Sequence, residues 1–206
     1  MTATLLELVN DGPAEDLEHE RVLDAALQAF LDFGIRRTSM GEIAKRSGLS
    51  PATLYRRFSG KDEIVWAVGR REARRLIAEV DAGVDAHAKP EDQVVAMFVA
   101  FVGGLRQNRL LHRLLATEPE VILPLLTVNA GPVLVLGRAY LADFIRRVRR
   151  QLGLRPIDAD PAAEAVARIA LSLALTPQTC IPVDDGNAAR LFARQFLAGI
   201  LDAPSG

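Results

Sequence analysis

Apolar residues recur at helical spacing along almost the whole chain, and no strand-like alternation of useful length appears. From Glu15 to Phe33 the positions Leu17, Val22, Ala26, Phe30 and Phe33 predict a first helix, ended by Gly34. Ser39-Met40-Gly41-Glu42 reads as a capping box, with Ser39 accepting from the Glu42 amide and the Glu42 carboxylate reaching back to Ser39. The helix it starts turns Ile43 and Ala44 inward and ends where Gly48 supplies left-handed backbone. Ser50 caps a third helix, with Pro51 in its first position, where a missing amide donor is harmless. That helix buries Leu54 and Phe58 and leaves Thr53, Tyr55, Arg56 and Arg57 near the exposed side. A longer helix follows Lys61, with Ile64, Val65, Val68, Leu76, Ile77 and Val80 as its apolar positions, and ends near Gly83. Trp66, the sole tryptophan, reads as an anchor in the core or at a domain junction.

The second half continues in helices. Residues 91 to 107 leave little polar surface and read as buried on most sides. Shorter helices are predicted over Leu110 to Ala116 and from Glu118-Pro119-Glu120 to Leu126, then a long one from Gly131-Pro132 to about Leu152. Its final run, Arg146-Arg147-Val148-Arg149-Arg150, reads as a solvated helix end. Asp160-Pro161 caps a helix striped by Val166, Ile169, Ala170 and Leu173. Thr176 to Asn187 is a loop, and Ala188 to Leu201 is the last helix, with Leu191, Phe192, Ala193, Phe196, Leu197 and Ile200 as its apolar positions. The fold class is all-α, with about nine or ten helices.

A helix, a Gly-containing turn and a second helix with a polar, basic outer face make the helix-turn-helix layout, whose second helix can lie in a DNA major groove. Thr38, Ile43-Ala44, Gly48-Leu49-Ser50, Thr53-Leu54-Tyr55, Phe58 and Lys61 closely resemble the N-terminal DNA-binding domain of the tetracycline-repressor (TetR) family, over roughly residues 20 to 68. Asn10-Asp11-Gly12-Pro13 interrupts the turn of helix that Leu5 to Val9 could form, so residues 1–14 read as a mobile N-terminal arm. The resemblance implies a helix-turn-helix DNA-binding domain (15–61) and a helical effector-binding and dimerisation domain (62–206), joined by the helix after Lys61. It implies that Lys61 meets a phosphate and that Thr38 and Tyr55 touch the DNA backbone. Ser50 caps the recognition helix, and base reading falls to Pro51, Ala52, Thr53, Arg56 and Arg57 on its exposed face. Pro51 departs from the small or basic residue frequent at its position in the family.

Charge agrees with that reading. The formal net charge is −1, yet residues 36 to 75 carry eleven Lys or Arg against four Asp or Glu, a net +7, while residues 1 to 20 carry six acidic groups and no Lys or Arg. A local basic block suits a polyanion. The remaining chemistry is sparse. One cysteine, Cys180, excludes an intramolecular disulfide and a cysteine-cluster metal site, and reads as a buried thiol. His19, His87 and His112 are scattered, so no metal and no cofactor is expected. No secretory leader and no apolar run near the roughly 18 residues of a membrane span is evident, so a cytoplasmic protein without a membrane partner is expected.

The resemblance further implies a small-molecule pocket, for which helix faces suggest Met97, Phe98, Phe101, Leu105, His112, Leu115, Tyr140, Phe144 and Ser172. Their apolar character favours a hydrophobic or aromatic effector, with His112, Tyr140 and Ser172 as polar anchors. It also implies a homodimer through the helices near 160–175 and 187–202, which places two recognition helices about 34 Å apart on a palindromic double-stranded operator. The implied function is a repressor released from DNA by its effector. An activator or effector-independent regulator of the same fold remains an alternative, as does an enzyme or a helical ligand-binding protein without DNA binding. No nucleophile motif, phosphate-binding glycine loop or catalytic residue supports an enzyme. Asp184-Asp185 lies in a loop, and Glu118 and Glu120 flank Pro119 as a turn.

Overall fold

The computed structural model describes residues 17–176 and 178–201, with side chains to residue 196. The arm expected over 1–14 lies outside them, as do the side chains of Leu197 and Ile200. The described residues form ten helices and no strand: α1 (Leu17–Phe33), α2 (Met40–Ser47), α3 (Pro51–Arg57), α4 (Lys61–Gly83), α5 (Pro90–Gln107), α6 (Arg109–Thr117), α7 (Pro119–Leu126), α8 (Gly131–Gln151), α9 (Asp160–Leu175) and α10 (Gly186–Leu201). No single helix among them is long and apolar enough to cross a membrane.

The chain divides into two compact units. The first holds the described residues up to Arg75 together with Arg109–Leu123, and the second holds Leu76–Asn108 with the described residues from Pro124 onward. A boundary at residue 61 would separate two continuous segments. The contacts instead attach residues 62–75 and 109–123 to the helix-turn-helix, because α6 packs on α1.

In the first unit, α1, α2 and α3 enclose Val22, Ala26, Phe30, Ile43, Ala44, Leu54 and Phe58, joined by Ile64 and Val68 of α4 and Leu114 of α6. Burying each larger side chain contributes about 1.5–3 kcal/mol. The local signals set the helix ends. Ser39 Oγ accepts from the Glu42 amide at 3.1 Å, but the Glu42 carboxylate accepts from Arg46 Nε at 2.7 Å, so only half of the expected capping box forms. Gly48, at φ 72°, closes α2, and the Leu49 amide returns to the Ala44 carbonyl. Ser50 Oγ accepts from the Thr53 amide at 3.1 Å and starts α3. Three expected core positions lie at the surface. Leu17 begins the helix and is exposed, and Phe33 is exposed beneath the Arg46 guanidinium, 4.9 Å from its ring centroid. Trp66 is 40% exposed, because Ile64, Ala67 and Val68 occupy the inner face of α4 and residue 66 falls on the opposite side.

In the second unit α8 packs on α9, and α5 packs on α8, α9 and α10. Phe98, Val102, Leu141, Phe144, Val148, Val166 and Ala170 are buried there. The start of α9 differs from expectation: Ala159 holds the cap position, Asp160 is the first helical residue, and the Asp160 amide donates to Asp158 Oδ1 at 3.1 Å. The basic end of α8 is not wholly solvated. Arg149 is buried, and its Nη2 donates to the Arg155 carbonyl at 3.1 Å, tying down the turn after the helix. Cys180 is exposed rather than buried, since it lies in the α9–α10 loop and on no helix face.

Candidate nucleic-acid interface

The short segment 34–38 leads from α1 into the helix-turn-helix, and its polar groups are satisfied from three directions. Gly34 turns the chain at φ 83°. The Thr38 hydroxyl donates to the Gly34 carbonyl at 2.6 Å, with the Ala29 carbonyl 3.2 Å away. Lys61 Nζ, at the start of α4, donates to the carbonyls of Ile35 (2.9 Å), Arg36 (3.3 Å) and Thr38 (3.0 Å). The amides of Ile35 and Arg36 donate to the Glu118 carboxylate, at 2.7 Å to Oε2 and 3.1 Å to Oε1 respectively. Nearby, Arg113 of α6 donates to the Leu31 and Asp32 carbonyls at 3.1 and 3.2 Å, capping the end of α1. Arg36 Nη1 reaches Glu120 at 2.6 Å.

Two sequence expectations change here. Thr38 is 1% exposed, so its hydroxyl faces the protein interior and not a DNA backbone. An ammonium has three N–H donors. All three acceptors around Lys61 are carbonyls of this segment, so a phosphate would have to displace one of them. Glu118, read from sequence as part of a turn, is 6% exposed and accepts from backbone 82 and 83 residues away. No local pattern announces such a residue.

On α3, Pro51, Ala52, Tyr55 and Arg56 are exposed, with Tyr55 at 57%. Ser50 is exposed, but its Oγ is engaged by the Thr53 amide and lies 2.9 Å from the half-buried Thr53 hydroxyl. Arg57 departs from expectation: its guanidinium turns back to Glu18 of α1, which braces α3 and takes the side chain away from the exposed face. Arg71 of α4 likewise bonds Glu20 and Asp24 of α1, at 3.1 and 2.8 Å, so part of the arginine-rich α4 face is a cross-brace. Exposed Arg37, Lys45 and Arg56 add positive charge to this unit, whereas Arg36 is paired with Glu120. Positive charge of this kind suits a polyanion.

The candidate effector residues separate. Met97, Phe98, Phe101, Tyr140 and Phe144 are buried in the second unit, where the Phe101 and Tyr140 rings stack at 6.3 Å. Phe98 also meets Phe192 and Phe196 at 6.4 and 6.1 Å. Leu105 is half-buried, whereas Ser172 is exposed and does not serve as a buried anchor. His112, which is exposed, and Leu115 belong to the first unit. Among the described residues no three His, Cys, Asp or Glu side chains gather as a metal site.

Tyr140 is the polar group within the aromatic cluster. Its hydroxyl donates to Asp81 Oδ1 at 2.8 Å. Burial first, then the bond to the Asp81 carboxylate and that carboxylate's charge, push the phenol far above its ordinary value. The raised folded-state value means that the neutral phenol stabilises the fold fully below the unfolded value of about 10, and that this contribution falls as pH rises beyond it. Ultraviolet titration is therefore expected to show no Tyr140 tyrosinate until the fold opens, and Tyr140→Phe to abolish that late step.

Comparison with known proteins agrees with this architecture. Residues 22–68 match the family model described as bacterial regulatory proteins of the tetR family, and residues 90–194 match that of the tetracyclin repressor C-terminal domain. An uncharacterized HTH-type transcriptional regulator of Mycobacterium tuberculosis is 32% identical over 93 residues, covering 45% of this chain and 46% of the relative. The HTH-type transcriptional activator FasR of Mycolicibacterium smegmatis is 31% identical over 111 residues, 52% of this chain and 51% of the relative. The chain thus spans about half the length of the curated relatives it matches. Among solved structures, the TetR family repressor AlkX of a Dietzia strain superposes with a TM-score of 0.65 at 20% identity, covering 93% of this chain and 98% of that one. The repressor QsdR of R. erythropolis gives 0.63 at 19% identity, over 94% and 98%. These likenesses show the fold, and the C-terminal family model alone covers just over half of the residues: the protein belongs to the tetR family of bacterial regulatory proteins.

Proposed function

We propose that this chain is a DNA-binding transcriptional regulator that acts in the cytoplasm as a homodimer and leaves a palindromic operator when a small apolar effector binds. The observation that carries the reading is the exposed face of Pro51, Ala52, Tyr55 and Arg56, presented by a capped helix whose support is buried and braced. Regulators of this family bind DNA operators, typically as dimers and with small-molecule effectors. Most of the α9 stripe, including Val166, Ala170 and Leu173, closes this chain's own core. Partly exposed Ile169 and Leu171 of α9, with exposed Leu191 and Phe196 of α10, offer apolar surface to a second copy among the described residues. The buried aromatic cluster around Phe101 and Tyr140 is the proposed effector site, with Tyr140 as its polar group.

Selection from a pool of randomised duplexes, followed by mobility shifts over a salt series, tests the reading. An inverted repeat is expected to be enriched, with affinity falling as salt rises because phosphate contacts release counterions. Enrichment of no sequence removes the proposal. Within the same selection Arg56→Ala is expected to relax one guanine position by about 1–3 kcal/mol of discrimination, the worth of a bidentate arginine pair. Arg57→Ala, which breaks the brace to Glu18, is expected to change base preference less. An Arg56→Ala selection with the wild-type preference takes Arg56 out of base reading. Because the FasR relative is named an activator, the sign of regulation is read from a reporter placed behind the selected site.

A further inference from the structure

We infer that Glu118 is a positioning residue for DNA binding, acting through the 34–38 segment on the helix-turn-helix. The inference rests on the DNA-binding reading above. A buried carboxylate needs donors, and the two nearest are backbone amides that a turn would otherwise leave to water. Their residues are not arbitrary. Ile35 and Arg36 supply the amides to Glu118 and, through their carbonyls, two of the three acceptors for Lys61. The same two residues are therefore held from opposite polarities, by an anion from the end of α6 and a cation from the start of α4, and the peptide group between them is held at both its ends.

That arrangement fixes the path of the chain into α2. The third Lys61 acceptor, the Thr38 carbonyl, directly precedes Ser39, which caps α2, and α2 packs against α3. Arg113, one turn before Glu118 on the same connection, holds the carbonyls of Leu31 and Asp32 and so fixes the other side of the turn. Loss of the Glu118 carboxylate frees the Ile35 and Arg36 amides and lets the segment take several paths. The helices remain, but their orientation on the duplex is no longer single. A base-reading face requires one register on DNA, so discrimination is lost before folding is.

The experiment compares the wild type with Glu118→Ala and Glu118→Gln, using the duplex that wild-type protein selects and a scrambled duplex of the same composition. Amide hydrogen exchange is followed at Ile35 and Arg36. Glu118→Ala is expected to speed exchange at both amides and to weaken binding to the selected duplex about tenfold, within the range for coupled sites. Binding to the scrambled duplex is expected to change little, so the ratio between the two collapses. Glu118→Gln keeps one oxygen, and Oε2 lies 2.7 and 3.3 Å from the two amides, so it is expected to restore most of the ratio. A merely structural glutamate would lower the melting temperature and leave the ratio untouched. If Glu118→Ala melts below the binding temperature, Glu118→Asp, one methylene too short, replaces it with the same expectation. A folded variant with faster exchange and the wild-type ratio overturns the inference alone. A wild-type protein that selects no duplex overturns the DNA-binding reading and takes the inference with it.

Discussion

Gly34→Ala is expected to lower the melting temperature by roughly 5–15 °C, corresponding to about 2–4 kcal/mol in a chain of this size. Two effects add. The backbone sits at φ 83°, where an L side chain is strained by about 1–2 kcal/mol. A Cβ built there would also lie 2.4 Å from Glu118 Oε1 and 2.7 Å from Cδ. The end of a glutamate normally swings away at little cost, but this one is buried and holds two amides, so moving it breaks both bonds. Gly48 supplies the control. Its φ is 72°, and its nearest outside neighbour is Arg21 Nη2 at 3.0 Å, the end of a long, exposed side chain that donates one hydrogen bond to the Ser47 carbonyl at 2.9 Å. Gly48→Ala is therefore expected to cost about 1–2 kcal/mol of backbone strain and at most one hydrogen bond rather than two. Repeating Gly34→Ala in a Glu118→Ala background should reduce its cost toward the Gly48 value. Additive costs across that double-mutant cycle would show that the carboxylate is not what the new methyl meets.

Lys61→Ala is the second large effect, and it separates two roles that the sequence merges. Hydrogen bonds from a charged donor contribute about 1.5–3 kcal/mol each, and three on one ammonium do not add, so a loss of about 2–3 kcal/mol in urea unfolding is expected. Affinity for the selected duplex should fall while that for a scrambled duplex changes little, as for Glu118→Ala, because the same segment loosens. The slope of log affinity against log salt is the deciding quantity. A lysine that meets a phosphate contributes about 0.9 to that slope on duplex DNA. Lys61 has its three donors on carbonyls, so the variant should keep the wild-type slope while binding more weakly. A slope reduced by a full phosphate contact, with unchanged stability, would return Lys61 to the DNA backbone and out of the segment.

What the sequence made legible follows the range of the interactions. Ser39, Gly48, Ser50 and Pro51 act within four residues of themselves, so the ends of α2 and α3 could be read directly. Helix faces were legible where the apolar period is clean, as for Phe98, Phe101 and Phe144, all buried. Where polar side chains went was not. Arg57 looked groove-facing from its position on α3, yet Glu18, 39 residues earlier, turns it inward. Thr38 looked like a backbone contact because the resemblance fixes a position and not the direction of a hydroxyl. Glu118 gave no signal at all, since its partners are main-chain amides and main chain has no sequence. Cys180 was expected inside and Trp66 in the core or at a domain junction because their residue types favour burial, but local geometry put one in a loop and the other on an outer helix face rather than in the core.

Those last two misplacements leave the chain with convenient optics. It has one tryptophan, partly open to solvent in the first unit, and one thiol, exposed in the second. A maleimide dye on Cys180 therefore reports from one unit, while indole emission from Trp66 reports from the other. The native sequence already holds a spectroscopic ruler between its two units, with a single possible donor and a single attachment point per chain.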